Sequence, residues 1–180
     1  SREVVDFSEG LTDSELEREL LLDGARAAIE ALKGMRAAEG RRLGEDMLAR
    51  LERLRAIRTE IAVRVEGAAE RARERLIERL KKLPLGVEVD QSRLAAEVAL
   101  IAERSDVSEE LTRLGIHLDE FSQLLRRPGS EGKKGDFLSQ ELLREVNTIS
   151  SKAQDAAVQH LVVDAKAEIE KIREQIQNIE

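Results

Sequence analysis

"SEELTRLGIHLDEFSQLLRRPGSEGKKGDFLSQELLREVNTISSK", residues 108–152, decides how this chain folds. Its first half carries Leu111, Leu114, Leu118, Phe121 and Leu125 at spacings of three and four, which is one apolar face of an α-helix. Pro128, Gly129, Gly132 and Gly135 interrupt the pattern and turn the chain back, and a further helical region begins near Asp136. A hairpin centred near residue 131 brings His117 level with Glu145, Glu110 with Lys152, and Phe121 with Glu141. Beside the apolar stripe of the first helix runs a polar one, Glu103, Asp106, Glu110, Arg113 and His117, and Glu141, Glu145, Thr148 and Lys152 share a face of the second. The hairpin sets these two polar stripes against each other.

Working upstream, Leu94, Val98, Ile101 and Val107 extend the first helix back to about Arg93, with Asp90 or Ser92 as its cap and Pro84 and Gly86 before it. Helical patterning also runs from a cap at Thr12 or Asp13 to Leu83, and "GRRLG", residues 40–44, is where it is expected to break or bend. Between Glu45 and Leu83 the apolar positions Leu51, Leu54, Ile61, Val65, Ala68, Ala72 and Leu80 describe a long arm that needs a partner. Val4 to Phe7 reads as a short β-strand. Downstream, Val158, Val162, Ala165, Ile169, Ile172, Ile176 and Ile179 alternate spacings of four and three, an unbroken heptad seam. Such a seam packs inside a bundle or between subunits, and the uncovered arms favour assembly. The expected fold is therefore all-α: long helical arms over residues 1–90, then a C-terminal helical hairpin and bundle over 91–180, with a short N-terminal strand.

Composition narrows the chemistry. Charged residues make up 37% of the 180 and aromatics 2%, which fits solvated helices packed through aliphatic side chains. The absence of Cys removes thiolate metal sites and cysteine nucleophiles, and no apolar run reaches the length of a membrane span. A cytoplasmic protein without a membrane partner is expected. Net charge is −7, which opposes general affinity for nucleic acid, yet Arg41 to Lys82 holds thirteen Lys or Arg against eight Asp or Glu. That local +5 leaves −12 for the rest, so a polyanion and metal ions have different places to bind; a solvated helix surface explains the same numbers. No phosphate-binding glycine loop, nucleophile elbow or zinc pattern occurs, and single-strand recognition by aromatic stacking is set aside because only Phe7, Phe121 and Phe137 could offer a ring face. Hard-oxygen chemistry remains, with clustered carboxylates selecting Mg²⁺ or Mn²⁺. Taken singly, the polar residues have ordinary readings too: exposed ion pairs, a surface or capping His117, an exposed His160, a basic loop at Lys133 and Lys134.

"RLAAEVALIAERSDVSEELTRLGIHLDEF" (93–121), "GKKGDFLSQELLREVNTISSKAQDAAV" (132–158) and "EIEKIREQIQNIE" (168–180) resemble the C-terminal part of the YicC family of bacterial endoribonucleases. The resemblance spans nearly the whole chain and implies a metal-dependent endoribonuclease acting on single-stranded RNA, assembled as a homo-oligomer, expected to be a hexamer, around a central opening. It also implies a β-rich N-terminal region that this chain, beginning at Ser1, lacks, as a truncated form would. Motif positions carried onto this sequence are Glu103, Arg104, Asp106, Glu109, Glu110, Arg113 and His117, then Asp136, Gln140, Glu141, Arg144, Glu145, Asn147, Thr148 and Lys152. Two positions depart from the family pattern: Gly135 stands where Leu is usual and Leu143 where Asn is usual. The first is expected to loosen the start of the helix and the second to remove a polar contact.

On that footing the catalytic set is His117, as general acid or base, with Glu110 and Glu145. Asp106, Glu110, Glu141 and Glu145 would hold Mg²⁺ or Mn²⁺, and Arg104, Arg113, Lys133, Lys134, Arg144 and Lys152 would neutralise RNA phosphates. Other RNA-decay proteins stand as further partners. The rival expectation is a non-catalytic helical oligomerisation or RNA-binding adaptor module, whose polar stripes set register between subunits or deliver transcripts to another nuclease.

Overall fold

The computed structural model of the chain describes residues 14–82, 90–127, 132–153 and 155–177. All regular structure among them is α-helical: α1 Ser14–Val65, α2 Ala68–Lys81, α3 Gln91–Ser105, α4 Ser108–Leu125, α5 Gly132–Lys152 and α6 Ala156–Gln177. The strand expected at Val4 to Phe7 lies outside the described residues. The chain divides into two compact units, Ser1–Leu43 and Gly44–Glu180. In the first unit the described helix exposes Leu16, Leu20, Leu21, Ile29, Leu32 and Met35 and carries exposed local ion pairs such as Arg26–Asp23 and Lys33–Glu30.

The core belongs to the second unit. α5 packs against both α4 and α6, and α2 packs against α3. Met47, Leu51, Leu54 and Ile61 of α1 are fully buried together with Leu118 and Phe121 of α4, Leu142 and Ile149 of α5, and Ile169 and Ile172 of α6. Six members of the heptad seam, Val158 through Ile176, are buried within this chain, so the seam closes the bundle and does not face a subunit boundary. The physical reason is that α5 offers a matching apolar stripe, Leu138, Leu142, Val146 and Ile149, at the same helical spacing. Ile179 lies outside the described residues.

Three helix boundaries differ from the expectation. α1 runs without interruption through residues 40–44, because isolated glycines cost a helix only about 1 kcal/mol each and Arg41, Arg42 and Leu43 between them are good helix formers. The break falls instead at Glu66–Gly67, where Gly67 adopts φ 71° and Arg71 folds back to donate to the carbonyls of Glu66 and Arg64. The helix expected from Arg93 to Arg126 is likewise two, α3 and α4. Asp106 leaves the helical region, and its carboxylate accepts from the backbone N–H of Ser108 at 2.9 Å and its hydroxyl at 2.6 Å, which starts a new helix. α3 itself has no buried residue.

Gly135 does not loosen the start of α5. It is buried inside the first turns, and a Cβ built there would lie 3.0 Å from Ile176 Cδ1, so the missing side chain is the space that Ile176 fills. α1 is tied to α6 by polar contacts as well. Arg50 donates to Asp46 at 2.8 Å and to Glu168 at 2.9 Å, and Gln175 also donates to Asp46. Hydrogen bonds from Gln175 and Arg50 hold the Asp46 carboxyl below its ordinary value. Burial pushes the Glu168 carboxyl up, but hydrogen bonds from Lys171 and Arg50 outweigh it and leave the group lowered.

Two outcomes are expected. Gly135→Leu should destabilise this chain by about 1–3 kcal/mol in urea denaturation because Ile176 occupies the space. Since Asp46 and Glu168 both have lowered folded values, their stabilisation is complete above the ordinary carboxyl range and is lost as pH falls from there through the lowered folded values. Melting temperature should therefore decline below about pH 5, and Glu168→Gln should shrink that decline while costing about 1.5–3 kcal/mol at pH 7.

Candidate metal and RNA site

α4 reaches the site through contacts with α1. Arg58 Nε donates to the carbonyl of Leu111 at 2.6 Å, and Arg55 donates to the carbonyl of Leu118 at 3.2 Å and to Ser122 Oγ at 3.0 Å. Gly115 makes the approach feasible, since a Cβ there would stand 3.1 Å from Arg58 Cζ. These residues were not anticipated from the sequence. The available signal was a glycine in the middle of a strong helix, which marks a place where something comes close.

Facing this helix, α5 presents Glu141 and Glu145 to His117. A ligand atom from each of the three lies within 4.8 Å of those from the other two, and Glu145 is buried while His117 and Glu141 are half-buried. Glu145 Oε2 and His117 Nδ1 are buried with no hydrogen-bond partner, and Glu120 Oε2 stands 3.9 Å from Nδ1. Two carboxylates and an imidazole with orphaned buried atoms fit a divalent cation, because a polar atom left dry and unpaired is costly unless something fills its valence.

The hairpin register follows the expected pairing. Lys152 Nζ donates to Glu110 Oε1 at 2.9 Å, and Arg113 Nε donates to Glu145 Oε1 at 2.8 Å. Arg113 also reaches Glu110 Oε1 at 3.3 Å and bonds Glu109. Burial pushes the Glu110 carboxyl up, but the Lys152 hydrogen bond and the charges of Lys152 and Arg113 overcome this and hold it low. The Arg113 guanidinium is raised, chiefly by its hydrogen bond to Glu145.

The sequence-expected residues thus separate into groups. His117, Glu141 and Glu145 converge. Glu110, Arg113 and Lys152 form an ion cluster directly behind them. Asp106 is engaged at the junction of α3 and α4, with its carboxyl lowered by the hydrogen bonds from Ser108, and with Glu103 it lines a separate open cleft of about 700 Å³ beside Glu66, Gly67 and Ser105. Arg104, Lys133 and Lys134 are exposed, and Arg144 is exposed with Glu141 Oε2 3.7 Å from its guanidinium. Of the two described phenylalanines, Phe121 is buried, whereas Phe137 is 56% exposed one helical turn before Glu141.

Comparison with known proteins bears on the same region. A family model described as "Endoribonuclease YicC-like, C-terminal" matches residues 61–180. The chain is 38% identical over 179 residues to the Clostridioides difficile (strain 630) protein named "Probable endoribonuclease YicC", covering 99% of this chain and 61% of that protein. It is also 38% identical over 146 residues to the Haemophilus influenzae protein of the same name, covering 81% of this chain and 50% of the relative. The chain therefore spans between one half and about three fifths of the length of these curated relatives.

Arg113 neutralises two carboxylates whose side chains are each 4% exposed. Arg113→Met should clearly lower the midpoint of urea denaturation at pH 7, whereas Arg144→Met, at an exposed ion pair, should leave it nearly unchanged.

Proposed function

Because the chain belongs to the YicC-like endoribonuclease family, we propose that it cleaves phosphodiester bonds of single-stranded RNA with the help of a divalent cation held by His117, Glu141 and Glu145. The observation that carries this reading is the convergence of those three side chains with Glu145 Oε2 and His117 Nδ1 buried and unpartnered. A cation bound there would neutralise charge developing at the phosphate. An imidazole beside two carboxylates favours Mn²⁺ over Mg²⁺, which takes oxygen ligands by preference.

The chain's own residues then divide the work. Glu145, gripped on one oxygen by Arg113, offers the other to the cation; Glu141, with Arg144 alongside, brings a second carboxylate from the same face one turn earlier. Lys133, Lys134 and Arg104 are exposed and make no ion pair with another described residue, so they are the groups available to RNA phosphates. Three phenylalanines are too few for recognition by stacking along a strand, but Phe137 exposes one ring face to a single unstacked base. The exposed Leu16, Leu20, Ile29, Leu32 and Met35 of the first unit support assembly with copies of the same chain, a hexamer being the expected form. No described helix is long and apolar enough to cross a membrane, and a cytoplasmic location accompanies an RNA substrate.

A fluorogenic single-stranded RNA titrated with Mn²⁺ or Mg²⁺ tests this. Cleavage should require the cation and vanish with chelator, and Glu145→Gln and His117→Ala should each lower kcat/KM by about 100-fold or more. Lys133→Ala/Lys134→Ala should raise KM and flatten the salt dependence with kcat largely kept. Cleavage indifferent to chelator, or full activity in both site variants, would contradict the proposal.

A further inference from the structure

Behind the convergent trio, two buried carboxylates compete for one guanidinium. Glu110 and Glu145 each have side chains only 4% exposed, so neither charge can be left to water. Of these two, Glu145 receives Arg113 Nε at 2.8 Å and Glu110 receives Nη2 at 3.3 Å, while Nη1 bonds the exposed Glu109. The division is possible because the same Glu110 oxygen accepts from Lys152 Nζ at 2.9 Å. Lys152 sits on the last turn of α5, nearly two turns beyond Glu145, and reaches across the hairpin to α4.

We propose that Lys152 is a positioning residue for the cation site: by neutralising Glu110 it leaves Arg113 free to fix one oxygen of Glu145, so that Glu145 presents a single oriented oxygen to His117 and Glu141. Without Lys152 the buried Glu110 charge draws the guanidinium toward itself, and Glu145 loses the bond that orients it. Partners of this kind, acting through a ligand and not on the cation, change metal affinity by about 10–100-fold. This role differs from phosphate binding, for which Lys152 is already spent on Glu110. The inference rests on the cation site proposed above.

The sign of the effect makes it testable. Removing a nearby positive charge should, by Coulomb's law alone, tighten binding of a divalent cation, whereas loss of positioning weakens it. Mn²⁺ affinity of the full chain is measured by calorimetry without RNA, with circular dichroism and thermal melting to confirm folding. Lys152→Met is expected to bind Mn²⁺ about 10-fold more weakly or worse, and Glu110→Gln/Lys152→Met to return to within about 3-fold of the unaltered protein. Unchanged or tighter binding by Lys152→Met overturns the inference while leaving the cation site standing; absence of Mn²⁺ binding in the unaltered protein overturns both. Should Lys152→Met fail to fold, Glu110→Gln is compared with Glu110→Gln/Lys152→Met. Equal affinities support positioning, because Lys152 has no task once Glu110 is neutral, and tighter binding by the double variant overturns it.

Discussion

Two carboxylates buried between adjacent helices impose the condition on which the rest of this structure depends. Glu110 of α4 and Glu145 of α5 are withdrawn from water, and a buried charge without a counterion costs more than a helical hairpin can spare. Arg113 and Lys152 supply the countercharges, one from each helix, so the ion cluster crosses the hairpin twice. A slip of α5 along α4 would separate both pairs at once. Apolar packing through Leu118, Phe121, Leu142 and Ile149 tolerates some sliding; the ion cluster does not, and it therefore fixes the level at which His117 meets Glu141 and Glu145.

The hairpin and its register were legible because two signals agreed: apolar positions at helical spacing, and a Pro/Gly-rich turn whose midpoint could be counted from. Counting placed Glu110 beside Lys152, and the structure joins them at 2.9 Å. The heptad seam was equally clear as a pattern, but its destination was not. A repeat of apolar residues says that a partner helix exists, and only the fold says that the partner is α5 of the same chain. Helix ends at Gly67 and Asp106 were missed because each depends on a local backbone or side-chain hydrogen bond inside a stretch of otherwise good helix formers. Glycines at 40 and 44 attracted attention, yet nothing approaches them, whereas Gly115 and Gly135, which admit Arg58 and Ile176, carry the packing.

Within the site, sequence named residues that the fold brings together but could not divide their labour. A carboxylate that orients an arginine and a carboxylate that awaits a cation look the same in one dimension. In three, Asp106 is occupied by Ser108 and one oxygen of Glu110 by Lys152; Glu110 and Glu145 each keep an unpartnered oxygen, but Glu145 is the one that converges with His117 and Glu141. The basic residues sort by the same test of availability: Arg113 and Lys152 are held internally, and Lys133, Lys134 and Arg104 remain exposed. Membership of the YicC-like family over residues 61–180 gives this geometry its context, and the arrangement of free and engaged groups gives that membership a physical form.

The central claim is that His117, Glu141 and Glu145 converge to hold a divalent cation. Diffraction from crystals grown with Mn²⁺, recorded at the manganese absorption edge, tests it most directly. One strong anomalous peak is expected, about 2.0–2.4 Å from an oxygen of each glutamate and a nitrogen of the imidazole. A peak confined to the cleft beside Glu103 and Asp106, or none near Glu145 at saturating Mn²⁺, would contradict it.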